Sequence, residues 1–233
     1  MKKHIPNTIT CCNLISGCIA TYFAFQGMPA MALLWIVIGA VFDFFDGMSA
    51  RLLGVSSPIG KELDSLADDV TFGVAPSAII FAFLSRCPEL PAPVPFLAFI
   101  MAAFSALRLA KFNLDERQAL GFIGLPTPAN ALFWGSLITW LDLRTMLEPY
   151  ELPLYIYYGV VAMMFVSSYL LVAELPLFAL KFKHWGWKGN EVKYIFLITS
   201  ALMIACPLIL WGSVIGIAAV IAWYVVLSVA TRK

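Results

Sequence analysis

The sequence predicts an all-α, polytopic transmembrane helical bundle of about eight spans, with both termini in the cytoplasm. Its composition, the spacing of its apolar runs and the distribution of its positive charges all point to this fold class. Of the 233 residues, 61% are hydrophobic and 12% are charged, and the mean hydropathy is +0.88. Soluble domains carry roughly 25% charged residues, so the bilayer must be the solvent for most of this chain.

The apolar runs have the length of membrane spans, since a hydrocarbon core of about 30 Å needs roughly 20 apolar residues per helix. The first run is predicted to be a retained span, because the start MKKHIPNTIT lacks a small-residue cleavage signature. The fifth run is short and the third is long. No repeat or soluble segment interrupts them, so residues 1–233 are predicted to form a single integral membrane domain. Polar clusters and Gly or Pro positions divide it near 8–26, 30–53, 58–85, 92–113, 127–142, 152–173, 191–210 and 213–230.

The charges support this division independently. With eight spans both termini lie on one side, and the opposite side keeps only Arg86 and Arg144. The positive-inside rule makes the lysine-rich side cytoplasmic. A cluster of lysines with Trp185 and Trp187 is predicted to anchor to anionic membrane lipid. The cations on the predicted cytoplasmic side are Lys2, Lys3, Arg51, Lys61, Arg108, Lys111, Arg117, Lys181, Lys183, Lys188, Lys193, Arg232 and Lys233.

Several classes of function are excluded by composition. The net charge of +1 provides no basic field for nucleic acid. The five cysteines lack CxxC spacing, which argues against disulfide and zinc roles. Both histidines, His4 and His184, lie outside the predicted spans and indicate no His-based site.

The charges that do lie inside spans concentrate in one hairpin, residues 30–85, which is the predicted catalytic hairpin. Its second span ends VFDFFDGMSARLLG and its third opens SSPIGKELDSLADD. Gly54 suits a helix C-terminus, and Ser57 followed by Pro58 suits an N-cap and a first helical position. A tight cytoplasmic turn is therefore predicted between these two helices.

Helix geometry predicts that four carboxylates of this hairpin meet. Asp43 and Asp46 share one helix face, and Asp64 and Asp68 share a face of the next helix. At ~1.5 Å rise per residue the two pairs lie at matching depths of about 10–16 Å below the turn. Four bare negative charges would repel, whereas divalent cations would neutralise them. Hard oxygen ligands favour two Mg²⁺ or Mn²⁺ ions, an arrangement typical of displacement at phosphorus.

The neighbouring residues fit a nucleotide diphosphate. Gly47 and Ala50 remove side-chain bulk, so a ligand can approach the helix backbone. Arg51 lies one turn above Gly47 and can bind phosphate oxygens with its guanidinium fork. Lys61 is predicted to face the same cytoplasmic opening of the site as Arg51. Asp69 points about 100° away from Asp68 and is either a supporting partner or a further ligand.

Read from Asp43 to Asp68, the pattern is D-x2-D-G-x2-A-R-x8-G-x3-D-x3-D. It resembles the CDP-alcohol phosphatidyltransferase family at every defined position. The resemblance implies transfer of a phosphatidyl group from a CDP-linked lipid to an alcohol, with release of CMP. It implies that two metal ions are held by the four aspartates and that Asp68 takes the proton of the attacking hydroxyl. It also implies that Gly47, Ala50, Arg51 and Gly60 shape the CDP pocket, and that the enzyme is a homodimer.

Three flanking stretches resemble the bacterial, membrane-embedded phosphatidylserine synthases. They are IPNTITCCNLISGCIA, ELDSLADDVTFGVAPS, and LRLAKFN followed by GLPTPAN. The resemblance implies CDP-diacylglycerol and L-serine as substrates, in a bacterial inner membrane with the active site facing the cytoplasm. Asn7 and Thr10 would lie beside the nucleotide, although Asn7 also suits an N-cap. The predicted acceptor-binding residues, at the cytoplasmic end of the fourth span, are Arg108, Lys111 and Asn113.

Other functions stay open at the level of sequence. The acceptor could be glycerol phosphate, an inositol compound or another alcohol. Membrane prenyltransferases also use two Asp-rich helices and Mg²⁺, but their aspartate spacing differs and they lack the G-x2-A-R element. A cation transporter would leave Gly47, Ala50 and Arg51 unexplained, and the chain lacks paired broken spans.

Overall fold

The computed structural model describes residues 4–55, 57–114, 122–147, 152–178, 186–187 and 189–231. Nine α-helices make up most of these residues. They are α1 His4–Phe25, α2 Pro29–Leu53, α3 Pro58–Asp68, α4 Ala75–Leu84, α5 Phe99–Leu114, α6 Thr127–Leu147, α7 Leu154–Val172, α8 Glu191–Trp211 and α9 Ile215–Ala230.

Some predicted features fall outside the described residues. They include the lysine-rich ends and most of the predicted lipid anchor. Trp187 is described and stacks on Tyr194 with ring centroids 5.3 Å apart. The predicted residues outside the described ranges are Lys2, Lys3, Arg117, Lys181, Lys183, His184, Trp185, Lys188, Arg232 and Lys233.

The predicted all-α membrane bundle is confirmed. Six helical segments are long and apolar enough to cross a membrane. The predicted fifth and eighth spans correspond to α6, which has 21 residues, and to α9, a shorter apolar helix of 16 residues. The one strand pairing in the described residues joins Phe122–Ile123 to Pro176–Leu177. The six long apolar segments are His4–Phe25, Pro29–Leu53, Pro58–Leu84, Val94–Leu114, Leu154–Val172 and Glu191–Trp211.

The fifth span is longer than its sequence indicates. Polar residues from Asp142 onwards suggested an end near 142, whereas α6 continues to Leu147. The guanidinium of Arg144 lies over the ring of Trp140, 5.5 Å from its centroid. This cation–π contact one turn back along the helix keeps the charged end of α6 helical.

Three chain segments meet at the end of the bundle opposite the turn between α2 and α3. Arg86, which follows α4, forms an ion pair with Asp142 of α6. Its second terminal nitrogen donates to the carbonyl oxygen of Gly27, in the turn between α1 and α2, at 2.7 Å. This contact places the α1–α2 turn and the ends of α4 and α6 together, which is the alternating arrangement that the charge pattern predicts.

The predicted turn between α2 and α3 is present. Gly54 ends α2 in the left-handed conformation, with φ of 62°, which glycine adopts at little cost. Ser57 caps α3 by accepting a hydrogen bond from the backbone N–H of Gly60 at 3.0 Å, and Pro58 is the first helical residue. The hairpin thus reverses within four residues, so the aspartates of its two arms face one another.

The long third pass is not a uniform α-helix. A π-helical segment, Asp69–Val74, separates α3 from α4. Thr71 of this segment packs against two glycines, Gly17 of α1 and Gly39 of α2. A Cβ at position 17 would lie 2.4 Å from Oγ1 of Thr71, and a Cβ at position 39 would lie 2.6 Å from Cγ2 of Thr71. Its hydroxyl donates to the carbonyl oxygen of Asn13 at 3.0 Å. Glycine at both positions therefore allows α1 and α2 to hold the segment that follows Asp68.

Candidate active site

Three of the four predicted metal ligands come together between α2 and α3. Asp43, Asp64 and Asp68 each place a carboxylate oxygen within 4.8 Å of the others. All three side chains are partly buried. The i, i+4 spacing of Asp64 and Asp68 puts them on the face of α3 that meets Asp43.

Asp46 takes a somewhat different position. Its Oδ2 accepts a hydrogen bond from the hydroxyl of Thr10 at 2.7 Å, and both residues are buried. Asp46 remains near enough to Asp43 and Asp64 for the charges to interact. It therefore lies at the edge of the cluster and connects it to α1.

Asn13 is a site residue that the sequence analysis did not identify. It is fully buried on α1, and its Nδ2 donates to Oδ1 of Asp68 at 3.0 Å. The backbone carbonyl oxygen of Asn13 also accepts a hydrogen bond from the hydroxyl of Thr71. The signal lay in the spacing, because Pro6, Thr10 and Asn13 recur at i, i+4 and i+7 and so form one face of α1. A polar pair on a buried face opposite two Asp-rich helices indicates side chains that orient carboxylates.

A pocket of about 210 Å³ opens beside Asp46 and Asp64. Its walls come from the start of α1, the end of α2 and the start of α3. A Cβ on Gly47 would meet no atom within 4 Å, so this glycine leaves open space rather than close packing. Six of the seven predicted nucleotide-binding residues line the pocket: Asn7, Thr10, Gly47, Ala50, Gly60 and Lys61.

The seventh of these residues, Arg51, is exposed outside the pocket lining. Its Nε donates to the carbonyl oxygen of Gly47 at 3.0 Å, so the guanidinium folds back along α2. In the described residues α1 begins at His4, so Asn7 lies inside this helix and is not its N-cap.

Arg108 approaches the aspartates from α5. It is only 6% exposed, and its charge interacts with that of Asp68. Its Cζ lies 5.9 Å from the ring centroid of Phe112. Nε and Nη2 are buried and have no hydrogen-bond partner among the described residues. A guanidinium carries five N–H donors, so this one has donors available for a ligand.

The other two predicted acceptor residues lie differently. Asn113 connects α5 to α3 by two hydrogen bonds. Its backbone carbonyl oxygen accepts from Nζ of Lys61 at 2.8 Å, and its side-chain Nδ2 donates to Oγ of Ser65 at 2.7 Å. Lys111 is exposed on α5. Among the three, Arg108 is the buried cation beside the carboxylates.

The donor set fits divalent cations. At 4.8 Å and an effective dielectric constant of 20, two unit charges repel by about 3 kcal/mol, and this cluster contains three such pairs. Oδ1 of Asp64 is buried and has no donor among the described residues. Hard carboxylate oxygens in this arrangement are the ligands that Mg²⁺ and Mn²⁺ prefer.

The sequence of the chain is similar to those of known proteins. A sequence profile of the family described as CDP-alcohol phosphatidyltransferase matches residues 3–169, well over half of the chain. The chain is a member of the CDP-alcohol phosphatidyltransferase family. The matched residues contain α1 to α6 and most of α7, and so include every aspartate of the cluster, the pocket and Arg108.

Individual family members are similar over a shorter part of the chain. A Bacillus subtilis protein named CDP-diacylglycerol–serine O-phosphatidyltransferase is 42% identical over 130 residues, which are 54% of this chain and 70% of the relative. Proteins of the same name from Mycobacterium leprae and Methanocaldococcus jannaschii are 35% and 37% identical, over 55% of this chain. The matched parts are 44% and 57% of those two relatives, so the alignment spans about half of their length.

Proposed function

We propose that this protein transfers the phosphatidyl group of CDP-diacylglycerol to L-serine, giving phosphatidylserine and CMP. The observation that carries the proposal is the buried, unpartnered Arg108 beside the aspartate cluster of a CDP-alcohol phosphatidyltransferase. A small acceptor with a carboxylate would pair with that guanidinium. The names of the relatives from Bacillus subtilis, Mycobacterium leprae and Methanocaldococcus jannaschii support serine as this acceptor.

The proposed assignment of residues follows the geometry. The CDP group occupies the pocket beside Gly47, where Asn7, Thr10, Ala50, Gly60 and Lys61 also contribute walls. Arg51 swings from its carbonyl contact onto phosphate oxygens. Two Mg²⁺ or Mn²⁺ ions, held by Asp43, Asp46, Asp64 and Asp68, would neutralise the pyrophosphate and the charge that builds up on phosphorus.

Proton transfer is assigned to Asp68. Asn13 donates to Oδ1 of Asp68, so Oδ2 is the oxygen assigned to accept the proton. The serine hydroxyl gives its proton to that oxygen and its oxygen bonds to the phosphatidyl phosphorus. The bond from this phosphorus to the bridging oxygen of the pyrophosphate breaks, and CMP leaves with the electron pair.

An acceptor panel tests the proposed function. Purified protein is given radiolabelled CDP-diacylglycerol and L-serine, glycerol 3-phosphate or inositol phosphate, and both CMP and labelled lipid are measured. We expect both products with serine, and their loss in EDTA with recovery in Mg²⁺ or Mn²⁺. Labelled lipid with another alcohol but not with serine would disprove the acceptor, and turnover in saturating EDTA would disprove the metal site.

Gly47→Ala should separate stability from activity. The added Cβ meets no protein atom and replaces glycine inside a helix, which stabilises by up to about 1 kcal/mol. The same Cβ projects into space assigned to the nucleotide, so the KM for CDP-diacylglycerol should rise about 10-fold. Thermal unfolding and steady-state kinetics measure the two effects.

Gly159→Ala is the matched control for this change. Gly159 also lies inside a helix, α7, with nothing within 4 Å of its Cβ position, but it does not line the pocket. It should gain similar stability and keep the KM. An unchanged KM in Gly47→Ala would place the nucleotide elsewhere.

The active site is proposed to face the cytoplasm of a bacterial inner membrane. Exposed Glu62, near the hairpin turn, and exposed Glu89, after α4, lie near opposite ends of the third pass. In a cysteine-free background, Glu62→Cys should react with an impermeant maleimide only from the cytoplasmic side and Glu89→Cys only from the other side. Reaction of both from the same side would contradict this topology.

A homodimer is proposed on the family resemblance. Light scattering of the detergent-solubilised protein should give twice the mass of one chain after subtraction of detergent. A fully active monomer would contradict this proposal.

A further inference from the structure

Asp69 lies next to Asp68 in the chain but faces a different helix. It begins the π-helical segment and approaches Ser105 of α5. A Cβ placed on Gly73 would stand 2.6 Å from Asp69 Oδ1 and 2.9 Å from Ser105 Oγ. The carboxylate and the hydroxyl therefore both pack against Gly73, and a side chain at position 73 would displace them.

This small region has several buried polar atoms without partners. Asp69 Oδ1, Ser105 Oγ, and Nε and Nη2 of Arg108 are buried and form no hydrogen bond of normal geometry with the described residues, and the Ser105 hydroxyl lies near enough to Asp69 to interact with its carboxylate. Ser105 is fully buried and Arg108 is 6% exposed. A buried polar group without a partner costs about 1–3 kcal/mol, and such groups are rare in folded proteins. Arg108 therefore has N–H donors left for a ligand, and Asp69 and Ser105, which interact with each other, have acceptor capacity left beside it.

The charges of this region have the pattern of a zwitterion receptor. Ser105 and Arg108 are i and i+3 on α5, so they share one face. Asp69 supplies a negative charge at the Ser105 end, and Arg108 supplies a positive charge one turn further along. No ion pair joins these two described residues. Opposite charges that face one polar region without neutralising each other can bind the two ends of an amino acid.

We propose that Asp69 and Ser105 bind the ammonium group of the acceptor, which is held as a zwitterion between Asp69 and Arg108. This inference rests on the proposed function, because it assigns the substrate contacts of the same site. Asp69 accepts two of the ammonium hydrogens and Ser105 Oγ accepts the third. Asp68, the adjacent residue, then faces the hydroxyl of the same small molecule.

Three separate contacts would also select one enantiomer. Asp69 fixes the ammonium, Arg108 fixes the carboxylate and Asp68 receives the hydroxyl proton. The ammonium, the carboxylate and the CH2OH group that carries the hydroxyl all branch from the α-carbon, so D-serine cannot satisfy the three contacts together. D-Serine is therefore expected to be a poor acceptor for the unmodified enzyme.

The test compares L-serine with 3-hydroxypropionate, which is serine without its amino group. Asp69→Asn should lower kcat/KM for L-serine about 10- to 100-fold, because a charged hydrogen bond to the ammonium is lost. Turnover of 3-hydroxypropionate and the KM for CDP-diacylglycerol should change less than about 3-fold. Ser105→Ala should lower kcat/KM for L-serine about 5-fold.

Two controls distinguish recognition from structural damage. Ser77→Ala removes another fully buried hydroxyl nearby, which donates to the carbonyl oxygen of Gly73 at 2.8 Å, and should leave the acceptor preference unchanged. Mn²⁺ binding, measured by the EPR signal of free Mn²⁺, should be the same in Asp69→Asn and unmodified protein. If Asp69→Asn does not fold, the milder Ser105→Ala decides the matter.

The outcomes are separable. Equal losses with both acceptors, a retained preference for L-serine, or weakened Mn²⁺ binding in Asp69→Asn would each overturn the ammonium subsite. So would an unaltered preference in Ser105→Ala. Failure of the unmodified enzyme to use L-serine at all would instead refute the proposed function.

Discussion

Asp64→Asn should lower kcat by about a thousand-fold or more while leaving the protein folded. Asp64 contributes one of three carboxylates whose oxygens lie within 4.8 Å of one another, and its Oδ1 is buried without a donor among the described residues. An amide of the same shape cannot supply that negative charge to a cation. Asp43→Asn should behave in the same way. CMP release at saturating substrates measures the effect.

Thermal unfolding gives a second readout that does not depend on turnover. In EDTA, Asp64→Asn should unfold at a higher temperature than the unmodified protein, because one repelling charge has been removed. In Mg²⁺ the order should reverse, since only the unmodified protein gains full stabilisation from metal binding. Glu62→Gln, an exposed carboxylate change on the same helix, should alter neither activity nor this order. Stabilisation of Asp64→Asn by Mg²⁺ equal to that of the unmodified protein would exclude Asp64 as a ligand.

Arg108→Ala should lower kcat/KM for L-serine about 100-fold. Arg108 is buried beside Asp68, with two donor nitrogens that have no partner in the described chain, so it is the cation available to the acceptor carboxylate. Ethanolamine lacks that carboxylate and should be a poor acceptor, because it would leave the buried guanidinium unpaired. The alanine variant should therefore discriminate much less between serine and ethanolamine.

Arg108→Lys provides a graded control, because it keeps the charge but loses the planar fork, and its serine activity should be intermediate. Both acceptors are compared at equal concentrations well below saturation. If the KM for CDP-diacylglycerol rises more than that for serine, Arg108 binds phosphate instead. Equal use of serine and ethanolamine by the unmodified protein would rule out recognition of the carboxylate.

Much of the fold was predictable because a membrane chain displays its architecture in its sequence. Apolar length predicted the long apolar helices, and the pairing of Arg86 with Asp142 brings together the helix ends that an alternating order of spans places on one side. The turn at Gly54 and Ser57 followed from capping chemistry. The end of α6 did not, because the contact of Arg144 with Trp140 depends on side-chain conformations that hydropathy does not encode.

The site was predictable where one helix sets the geometry. The i, i+4 spacing of Asp64 and Asp68 gave their common face, whereas the position of Asp46 depends on Thr10 of another helix. Asn13 and Ser105 could not be predicted, because a buried asparagine or serine in an apolar run has no charge that distinguishes it from its neighbours. Their roles depend on which helices pack together, and single-helix periodicity does not determine that.

The π-helical segment Asp69–Val74 sets how the part of the third pass before it is rotated relative to the part after it. The aspartates before it must face α2, while the apolar residues after it pack among several helices. Deleting one residue between Asp69 and Val74 would restore regular α-helix and turn one half relative to the other by about 100°. Either the carboxylates or the packed core would then face the wrong neighbours. Insertions and deletions should therefore be tolerated far less well among these six positions, which are all buried or partly buried, than in the turns that connect the helices.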